Sequence, residues 1–363
     1  MAVTEQGLLA ALSSVLDPHT AKDFVSTRAL RNVQIHGGDV AFDVELGYPA
    51  KSIVPDLRRQ LVNAAKGVPG VENVSVNIST KVVAHAVQRG VQLLPQVKNI
   101  IAVASGKGGV GKSTTAANLA LALAAEGASV GVLDADIYGP SQPMMLGINR
   151  RPESDDGKTM EPLENYGVQV MSIGFLVDQD EAMIWRGPMA TQALEQLLRQ
   201  TNWKDLDYLI VDMPPGTGDI QLTLSQRVPL TGAVVVTTPQ DIALLDAKTG
   251  IKMFEKVGVP ILGNVENMAV HVCSNCGHVE HIFGADGGKK MAAGYGMDYL
   301  GALPLALHIR EQADSGRPTV VADPDSEVAG LYKGIARQVA LKIAAQSKDF
   351  SSKFPTITIS KNS

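Results

Sequence analysis

The chain has 363 residues, of which 45% are hydrophobic and 19% are charged, a balance typical of globular proteins rather than disordered ones. The formal net charge of -5 gives no general basic surface, so we expect no nucleic-acid partner. Two cysteines are too few for a secreted fold that depends on disulfides.

The first residues do not resemble a secretory signal. Residues 1–25 carry early acidic residues and no basic segment ahead of an apolar core. No apolar run approaches the roughly 18–20 residues needed to cross a bilayer. We therefore expect a cytoplasmic protein that does not bind membranes.

Residues 1–85 predict a small α+β domain. A helix-like start leads to VQIHGGDVAFDVEL, two alternating strands around Gly37 and Gly38, a dipeptide favoured in two-residue hairpin turns. A helical stretch, SIVPDLRRQLVNAAKG, and a further strand, VENVSVNIS, complete an α-β-β-α-β order. Residues 86–98 have weak periodicity and a proline, and they predict a linker.

Residues 99–346 predict a doubly wound α/β domain with a mostly parallel sheet. Short apolar runs without polar alternation, such as IIAVAS, YLIVDMPP and GAVVVTT, alternate with helical stretches. Strands of this kind are typical of a parallel sheet that is covered by helices on both faces. The last residues, 347–363, are rich in Ser and Lys and predict a flexible tail.

The segment SGKGGVGKST predicts a phosphate-binding loop, because Gly106, Gly111, Lys112 and Ser113 fit G-x-x-x-x-G-K-[ST] between a strand and a helix. Backbone N–H groups and a helix N-terminus attract phosphate. Lys112 would contact the β- and γ-phosphates and Ser113 would bind Mg²⁺. A glycine loop that only turns the chain would leave Lys112 unexplained. The predicted nucleotide-binding residues of the loop are Gly106, Gly108, Gly109, Val110, Gly111, Lys112, Ser113 and Thr114.

Carboxylates follow two of the predicted strands, where ligands bind in open α/β sheets. VLDADIYGPS offers Asp134 and Asp136, and YLIVDMPPGTGD offers Asp212 and Asp219. Asp212 fits the Walker-B role of holding Mg²⁺, and one of the first pair could orient the attacking water. Any single aspartate could instead be a helix cap or turn residue. Together they favour nucleotide hydrolysis, with a magnesium site predicted at Ser113, Asp134 and Asp212.

A second lysine, Lys107, follows Gly106 at the tip of the loop. The loop needs only Lys112, so Lys107 is either a solvated surface charge or a cation that serves a different nucleotide. Charge supplied in trans stabilises a transferring phosphoryl group. Lys107 therefore favours a dimer with nucleotide between the subunits.

Several motifs together resemble one family. GKGGVGKS, DADIYGPS, WRGPM, DYLIVDMPPGTGD, VCSNCG and GALPLALHIREQADSGRP are similar to motifs of the Mrp/ApbC family of iron–sulfur cluster carrier ATPases, over about residues 96–345. More distantly, the chain resembles the nitrogenase iron protein and the ParA/MinD ATPases. Residues 1–85 resemble the assembly-associated α+β domain of many family members.

The resemblance implies roles for individual residues. Lys107 would reach across the interface of a homodimer to the partner's nucleotide, and Asp136 would activate water, so that Lys107, Lys112 and Asp136 form the catalytic set. Asn267 would read the adenine of ATP. The implied partners are cluster-assembly scaffold proteins and apo iron–sulfur proteins. Some relatives have a reactive cysteine in the small domain, but residues 1–85 have none, which puts thiol chemistry there in doubt.

The only cysteines, Cys273 and Cys276, lie in HVCSNCGH. Two chains placed face to face would bring four thiolates together, which is the ligand set of a [4Fe–4S] cluster. Zn²⁺ could bind the same four sulfurs. A site within one chain that adds His278 and His281 stays open, although its spacing is too short for a zinc finger, as does a redox dithiol.

These observations leave three functions to compare. The leading one is a weakly hydrolysing ATPase that holds a [4Fe–4S] cluster between two subunits and transfers it to apo-proteins. The alternative is a ParA/MinD-like positioning switch with a structural zinc site, which would need a basic surface or an amphipathic anchor. The third is a small-molecule kinase, for which the sequence offers no arginine-rich lid.

Overall fold

The computed structural model describes residues 3–85, 87–88, 90–177, 187–273 and 275–346. The predicted tail and two positions of the predicted linker lie outside these ranges. Within these ranges, no helix combines the length and the apolar character needed to cross a bilayer.

A small sheet and two helices form the N-terminal part, in the predicted α-β-β-α-β order. Its elements are α1 (Glu5–Leu12), β1 (Leu30–His36), β2 (Asp39–Leu46), α2 (Val54–Lys66) and β3 (Asn73–Thr80), with one 3-10 turn at Lys51–Ile53. β2 pairs antiparallel with β1 and parallel with β3. His36 pairs with Asp39, so Gly37 and Gly38 form the predicted two-residue turn. Alternate residues of β2 are buried, which places its apolar face in the core.

The larger part is an α/β domain. Its strands are β4 (Val97–Ala104), β5 (Val130–Asp134), β6 (Leu163–Asn165), β7 (Val168–Ser172), β8 (Leu206–Asp212), β9 (Gly232–Thr237), β10 (Ile261–Glu266), β11 (His271–Val272), β12 (Val279–Glu280) and β13 (Tyr299–Ala302). Its helices are α3 (Lys112–Ala125), α4 (Gln142–Met145), α5 (Gly187–Gln200), α6 (Asp219–Arg227), α7 (Asp241–Lys256), α8 (Gly287–Tyr295), α9 (Leu307–Asp314), α10 (Thr319–Ala322) and α11 (Glu327–Ala344), with a 3-10 turn at Ile173–Phe175.

In the described chain, eight strands form one sheet in the order β13-β10-β9-β4-β8-β5-β7-β6. Its pairs are parallel except β6 with β7 at one edge. Every residue of β5, β7 and β9 is buried, as expected of apolar strands that are covered on both faces. The predicted fold class, a mostly parallel P-loop domain preceded by a small α+β domain, is confirmed.

The small domain contacts the far end of the helix that starts at the phosphate loop. Glu126 directly follows α3, and its side-chain carboxylate accepts hydrogen bonds from the backbone N–H of Ser52 at 2.9 Å and from the Ser52 hydroxyl at 2.7 Å. Arg337 of α11 donates to the same carboxylate at 3.3 Å. Glu126 is 4% exposed, so this joint between the two parts is a buried polar contact.

Candidate nucleotide and cluster site

Three neighbouring strands end at one edge of the large sheet and place the predicted site residues together. β8 lies between β4 and β5, and Asp134 at the end of β5 pairs with Asp212 at the end of β8. Both aspartates are fully buried. The glycine-rich loop follows β4 at the same edge, because parallel strands have their carboxyl ends together.

The loop needs glycine at several positions for physical reasons. Gly109 and Gly111 have φ values of 80° and 81°, a region that other residues rarely adopt. A Cβ atom on Gly106 would lie 2.2 Å from the carbonyl carbon of Asp246, so only glycine lets the loop pack against α7. Lys107 is exposed at the tip of the loop, whereas Lys112 is buried.

Lys112 is held by the carboxylate that the sequence assigns to magnesium. Its ammonium contacts Oδ1 of Asp212 and lies 3.1 Å from Oγ of Ser113. These two oxygens therefore converge on a position that already holds a positive charge. An oxygen-lined position of this kind fits Mg²⁺, which prefers hydroxyl, carboxylate and water ligands.

Asp134 organises the loop that follows its strand. Its carboxylate accepts four hydrogen bonds of 2.9–3.2 Å, from the backbone N–H groups of Asp136, Ser141 and Gln142 and from the hydroxyl of Ser172. Burial, and then the charge of Asp212, raise the pKa of Asp134 to about 7. Four protein donors hold the carboxylate of Asp134, whereas the partner of Oδ1 of Asp212 is the ammonium of Lys112, and a role of Asp134 in binding Mg²⁺ stays a prediction.

Asp136 lies half-buried on the loop between β5 and α4. Burial raises its pKa, against the opposing charge of Lys112 and the backbone N–H groups of Tyr138 and Gly139. A carboxylate with a raised pKa is better suited to accept a proton near neutral pH. Asp219, by contrast, is exposed at the first residue of α6.

Asn267 directly follows β10 and supports the phosphate loop. Its side chain is 8% exposed, and its Nδ2 donates to the carbonyl of Val110 at 2.8 Å. A Cβ atom on Gly111 would lie 2.1 Å from the same nitrogen, so the glycine makes room for this contact. Contact of Asn267 with adenine stays a prediction.

The two cysteines lie in the tight turn of the β11–β12 hairpin. The backbone N–H of Cys273 donates to the carbonyl of His278 at 2.9 Å, and that of Gly277 donates to the carbonyl of Cys273 at 2.8 Å. Backbone N–H groups of Asn275 and Cys276 lower the pKa of Cys273, with a further contribution from the Cys276 side chain. Cys276 is exposed and Cys273 is partly buried, so at least one of the two cysteines is open to solvent.

The histidines near the cysteines do not complete a metal site with them. Nδ1 of His281 lies 2.9 Å from the carbonyl of Ala269, and Nε2 of His278 lies 3.6 Å from a Glu280 oxygen. In the described ranges, no group of three or more His, Cys, Asp or Glu side chains could hold a metal ion. The single-chain site that the sequence left open is therefore not assembled in the part of the chain described.

One buried member of the site, Gln142, is not apparent from the sequence. Gln142, the first residue of α4, is fully buried, and its Nε2 donates to Asp212 at 2.9 Å and to the carbonyl of Ser113 at 3.0 Å. Nothing in the motif pattern separates this glutamine from an exposed turn residue. Its role depends on two partners that are distant in sequence.

Comparison with known proteins agrees with this geometry. Residues 96–340 match the family model for NUBPL iron-transfer P-loop NTPases, and residues 5–78 match the model for iron–sulfur cluster assembly proteins. The iron-sulfur cluster carrier protein of Pseudomonas fragi is 60% identical over 75% of this chain and 96% of its own length. That of Escherichia coli K12 is 50% identical over 93% of this chain and 92% of its own.

A solved structure is also similar. A nucleotide-binding protein from Archaeoglobus fulgidus, in complex with ADP, is 36% identical and covers 65% of this chain and 93% of its own, with a TM-score of 0.56. The nucleotide in that relative agrees with the phosphate-loop geometry described above.

Proposed function

Since this chain belongs to the family of NUBPL iron-transfer P-loop NTPases, we propose that it is an ATPase that carries a [4Fe–4S] cluster as cargo and delivers it to apo-proteins. The observation that carries the proposal is the presence, in one domain, of a complete phosphate loop and a hairpin that presents Cys273 and Cys276 as a pair. The hairpin begins shortly after Asn267, which contacts the phosphate loop.

ATP is the proposed nucleotide, with Mg²⁺ at Ser113 and Asp212. Lys112 would leave Asp212 and contact the β- and γ-phosphates. Oδ1 of Asp212 would then be available to Mg²⁺. Mg²⁺, when bound, neutralises charge on the phosphate oxygens. Asp134 would hold the following loop in place, and Asp136 on that loop would take the proton of the attacking water.

A homodimer is the proposed active form. Lys107 is exposed at the loop tip, where it could reach a nucleotide in the other subunit. Helix α7, which packs against Gly106 through Asp246, exposes Ile242 and Leu245, each by 64%. Exposed apolar side chains next to a nucleotide site are typical of a surface that becomes buried in an interface. The nucleotide would then bind between two copies of the chain.

The second copy would also complete the cluster site. One chain offers the two thiols of Cys273 and Cys276, and a [4Fe–4S] cluster takes four. A cluster shared by two chains loses half of its ligands when the interface opens, which suits release to a recipient. Zn²⁺ could occupy the same four sulfurs. Scaffold proteins would supply the cluster, and apo iron–sulfur proteins would receive it.

Transfer to a recipient tests the proposal. Protein reconstituted anaerobically with iron and sulfide is mixed with an apo-dehydratase that needs a [4Fe–4S] cluster, and recovery of dehydratase activity is followed over time. We expect recovery with the wild type and none with Cys273→Ser or Cys276→Ser. Val272→Ser is the matched control, because Val272 is exposed in the same hairpin and should leave transfer intact. Equal recovery with all four proteins would overturn the proposal.

A further inference from the structure

Gln142 makes contacts with two of the residues that form the proposed magnesium site. Its Nε2 lies 2.9 Å from Oδ2 of Asp212 and 3.0 Å from the carbonyl oxygen of Ser113. Both partners can only accept hydrogen bonds, so the nitrogen end of the amide must face them. The orientation of this buried side chain is therefore fixed by its two partners.

The same residue also joins the loop that carries Asp136. The backbone N–H of Gln142 donates to Oδ2 of Asp134 at 3.0 Å, and the N–H of Asp136 donates to the other oxygen of Asp134 at 3.2 Å. The loop between β5 and α4 is thus attached to Asp134 at both ends. Its far end is attached to Asp212 through the side chain of Gln142.

Each oxygen of Asp212 has a different partner. Oδ1 contacts the Lys112 ammonium and Oδ2 accepts from Gln142. When Lys112 moves to a phosphate, Oδ1 loses its partner, whereas Oδ2 remains attached to Gln142. The hydrogen bond from Gln142 therefore restricts rotation of the carboxylate. Oε1 of Gln142 is buried without a partner among the described residues, which leaves one further acceptor in this part of the site.

We propose that Gln142 is a positioning residue that fixes the orientation of Asp212 for Mg²⁺ and attaches the Asp136 loop to the metal site. The proposal rests on the proposed function, because it presupposes that Mg²⁺ and ATP bind at this site. Its consequence is specific: loss of the Gln142 amide weakens the magnesium-dependent part of nucleotide binding. The contacts of phosphate with the loop and with Lys112 do not involve Gln142 and should persist.

The test measures equilibrium binding of a fluorescent ATP analogue, at rising Mg²⁺ and separately in excess EDTA. We expect Gln142→Leu to need at least about tenfold more Mg²⁺ for half-maximal binding, as loss of a hydrogen bond to a charged group implies. Its affinity in EDTA should stay within about twofold of wild type. Thermal unfolding is recorded alongside. If Gln142→Leu does not fold, the unbranched Gln142→Met takes its place.

The matched control is Gln169→Leu. Gln169 is also a buried glutamine with two hydrogen bonds, from its Nε2 to the Lys204 carbonyl and to its Oε1 from the Lys204 N–H, but it lies at the opposite end of β7 from Ser172. If Gln142 acts in folding alone, Gln142→Leu and Gln169→Leu should raise the Mg²⁺ concentration for half-maximal binding equally. Alternatively, Gln142→Leu should weaken binding of the ATP analogue equally with and without Mg²⁺. Either result, or an unchanged Mg²⁺ requirement in Gln142→Leu, overturns the positioning role.

Failure of the proposed function gives a different result in the same experiment. If the wild type shows no magnesium-dependent binding of the ATP analogue, the proposed ATPase site is wrong, and the positioning role of Gln142 fails with it. If the wild type binds with Mg²⁺ and Gln142→Leu matches it, only the positioning role fails.

Discussion

The ammonium of Lys112 contacts Oδ1 of Asp212, and this ion pair is buried at the point where the phosphate loop meets the end of β8. The lysine thus pairs with one member of the buried acidic pair of Asp134 and Asp212. Nucleotide binding would exchange this partner for phosphate.

Removal of Lys112 should destabilise the nucleotide-free protein. Lys112→Met leaves Asp134 and Asp212 as neighbouring buried carboxylates with no cation, and loss of one partner of a buried ion pair costs about 3–5 kcal/mol. The free energy of unfolding, measured by urea titration without nucleotide, should fall by that amount. Adding Asp212→Asn removes the uncompensated charge and should restore most of the loss. A Lys112→Met protein as stable as the wild type would show that the ion pair contributes nothing.

Asp136 should affect catalysis rather than binding. Asp136→Asn cannot take a proton from water, and general-base catalysis contributes about 10²- to 10⁴-fold to rate. The kcat for ATP hydrolysis should fall by about that factor, while the Kd for ATP changes by less than about threefold. Kd and kcat are measured separately, by equilibrium binding and by steady-state phosphate release. A rise in Kd with unchanged kcat would assign Asp136 to binding instead.

Mixed dimers can show whether Lys107 acts across the interface. Lys107→Ala and Asp136→Asn homodimers should each be nearly inactive. In a mixed dimer, the Lys107→Ala chain keeps its own Asp136 and receives Lys107 from the other chain, so one complete site forms. We therefore expect ATP hydrolysis to recover when the two variants are mixed. If Lys107 acts within its own chain, neither site is complete and mixing restores nothing.

Cys273 should form a thiolate at lower pH than an ordinary cysteine. The backbone N–H groups of Asn275 and Cys276 lower its pKa, and they remain in a Cys276→Ser variant. Because the folded-state pKa is lowered, the rate of iodoacetamide alkylation of Cys273 should reach half its maximum at a lower pH in the folded variant than in the same variant unfolded in urea. A shared midpoint would show that the turn does not stabilise the thiolate.

The joint between Glu126 and Ser52 should hold the small domain in place. Glu126→Ala removes the acceptor of three hydrogen bonds and should cost roughly 1–3 kcal/mol. Proteolytic cleavage between the two domains should become faster. The control is Asp314→Ala, which breaks an exposed pair with Arg310 worth about 0.5 kcal/mol or less. Equal cleavage of the wild type and Glu126→Ala would show that the joint does not hold the domains together.

The sequence predicts those structural features that are determined by residues close together in the chain. The Gly37–Gly38 turn, the apolar strands and the phosphate loop each follow from a local pattern of residue type, because backbone conformation and strand burial act over a few positions. The strand ends also gather Asp134 and Asp212 as expected, since parallel strands align their carboxyl ends.

Contacts between distant segments could not be predicted in the same way. The Gln142–Asp212 and Ser52–Glu126 hydrogen bonds span 70 and 74 residues, and no periodicity in the sequence encodes them. The pairing of Lys112 with Asp212 was also missed, because the motif assigns one to phosphate and the other to magnesium. Burial of both side chains makes each the partner of the other's charge.

Native mass spectrometry of the anaerobically reconstituted protein can show whether two chains share one cluster. We expect a species with the mass of two chains plus one [4Fe–4S] cluster, because four thiolates are the ligands of such a cluster. We expect Cys273→Ser and Cys276→Ser to abolish this species. A single chain that carries its own metal, or a dimer that holds only zinc under the same conditions, would contradict a [4Fe–4S] cluster shared by two chains.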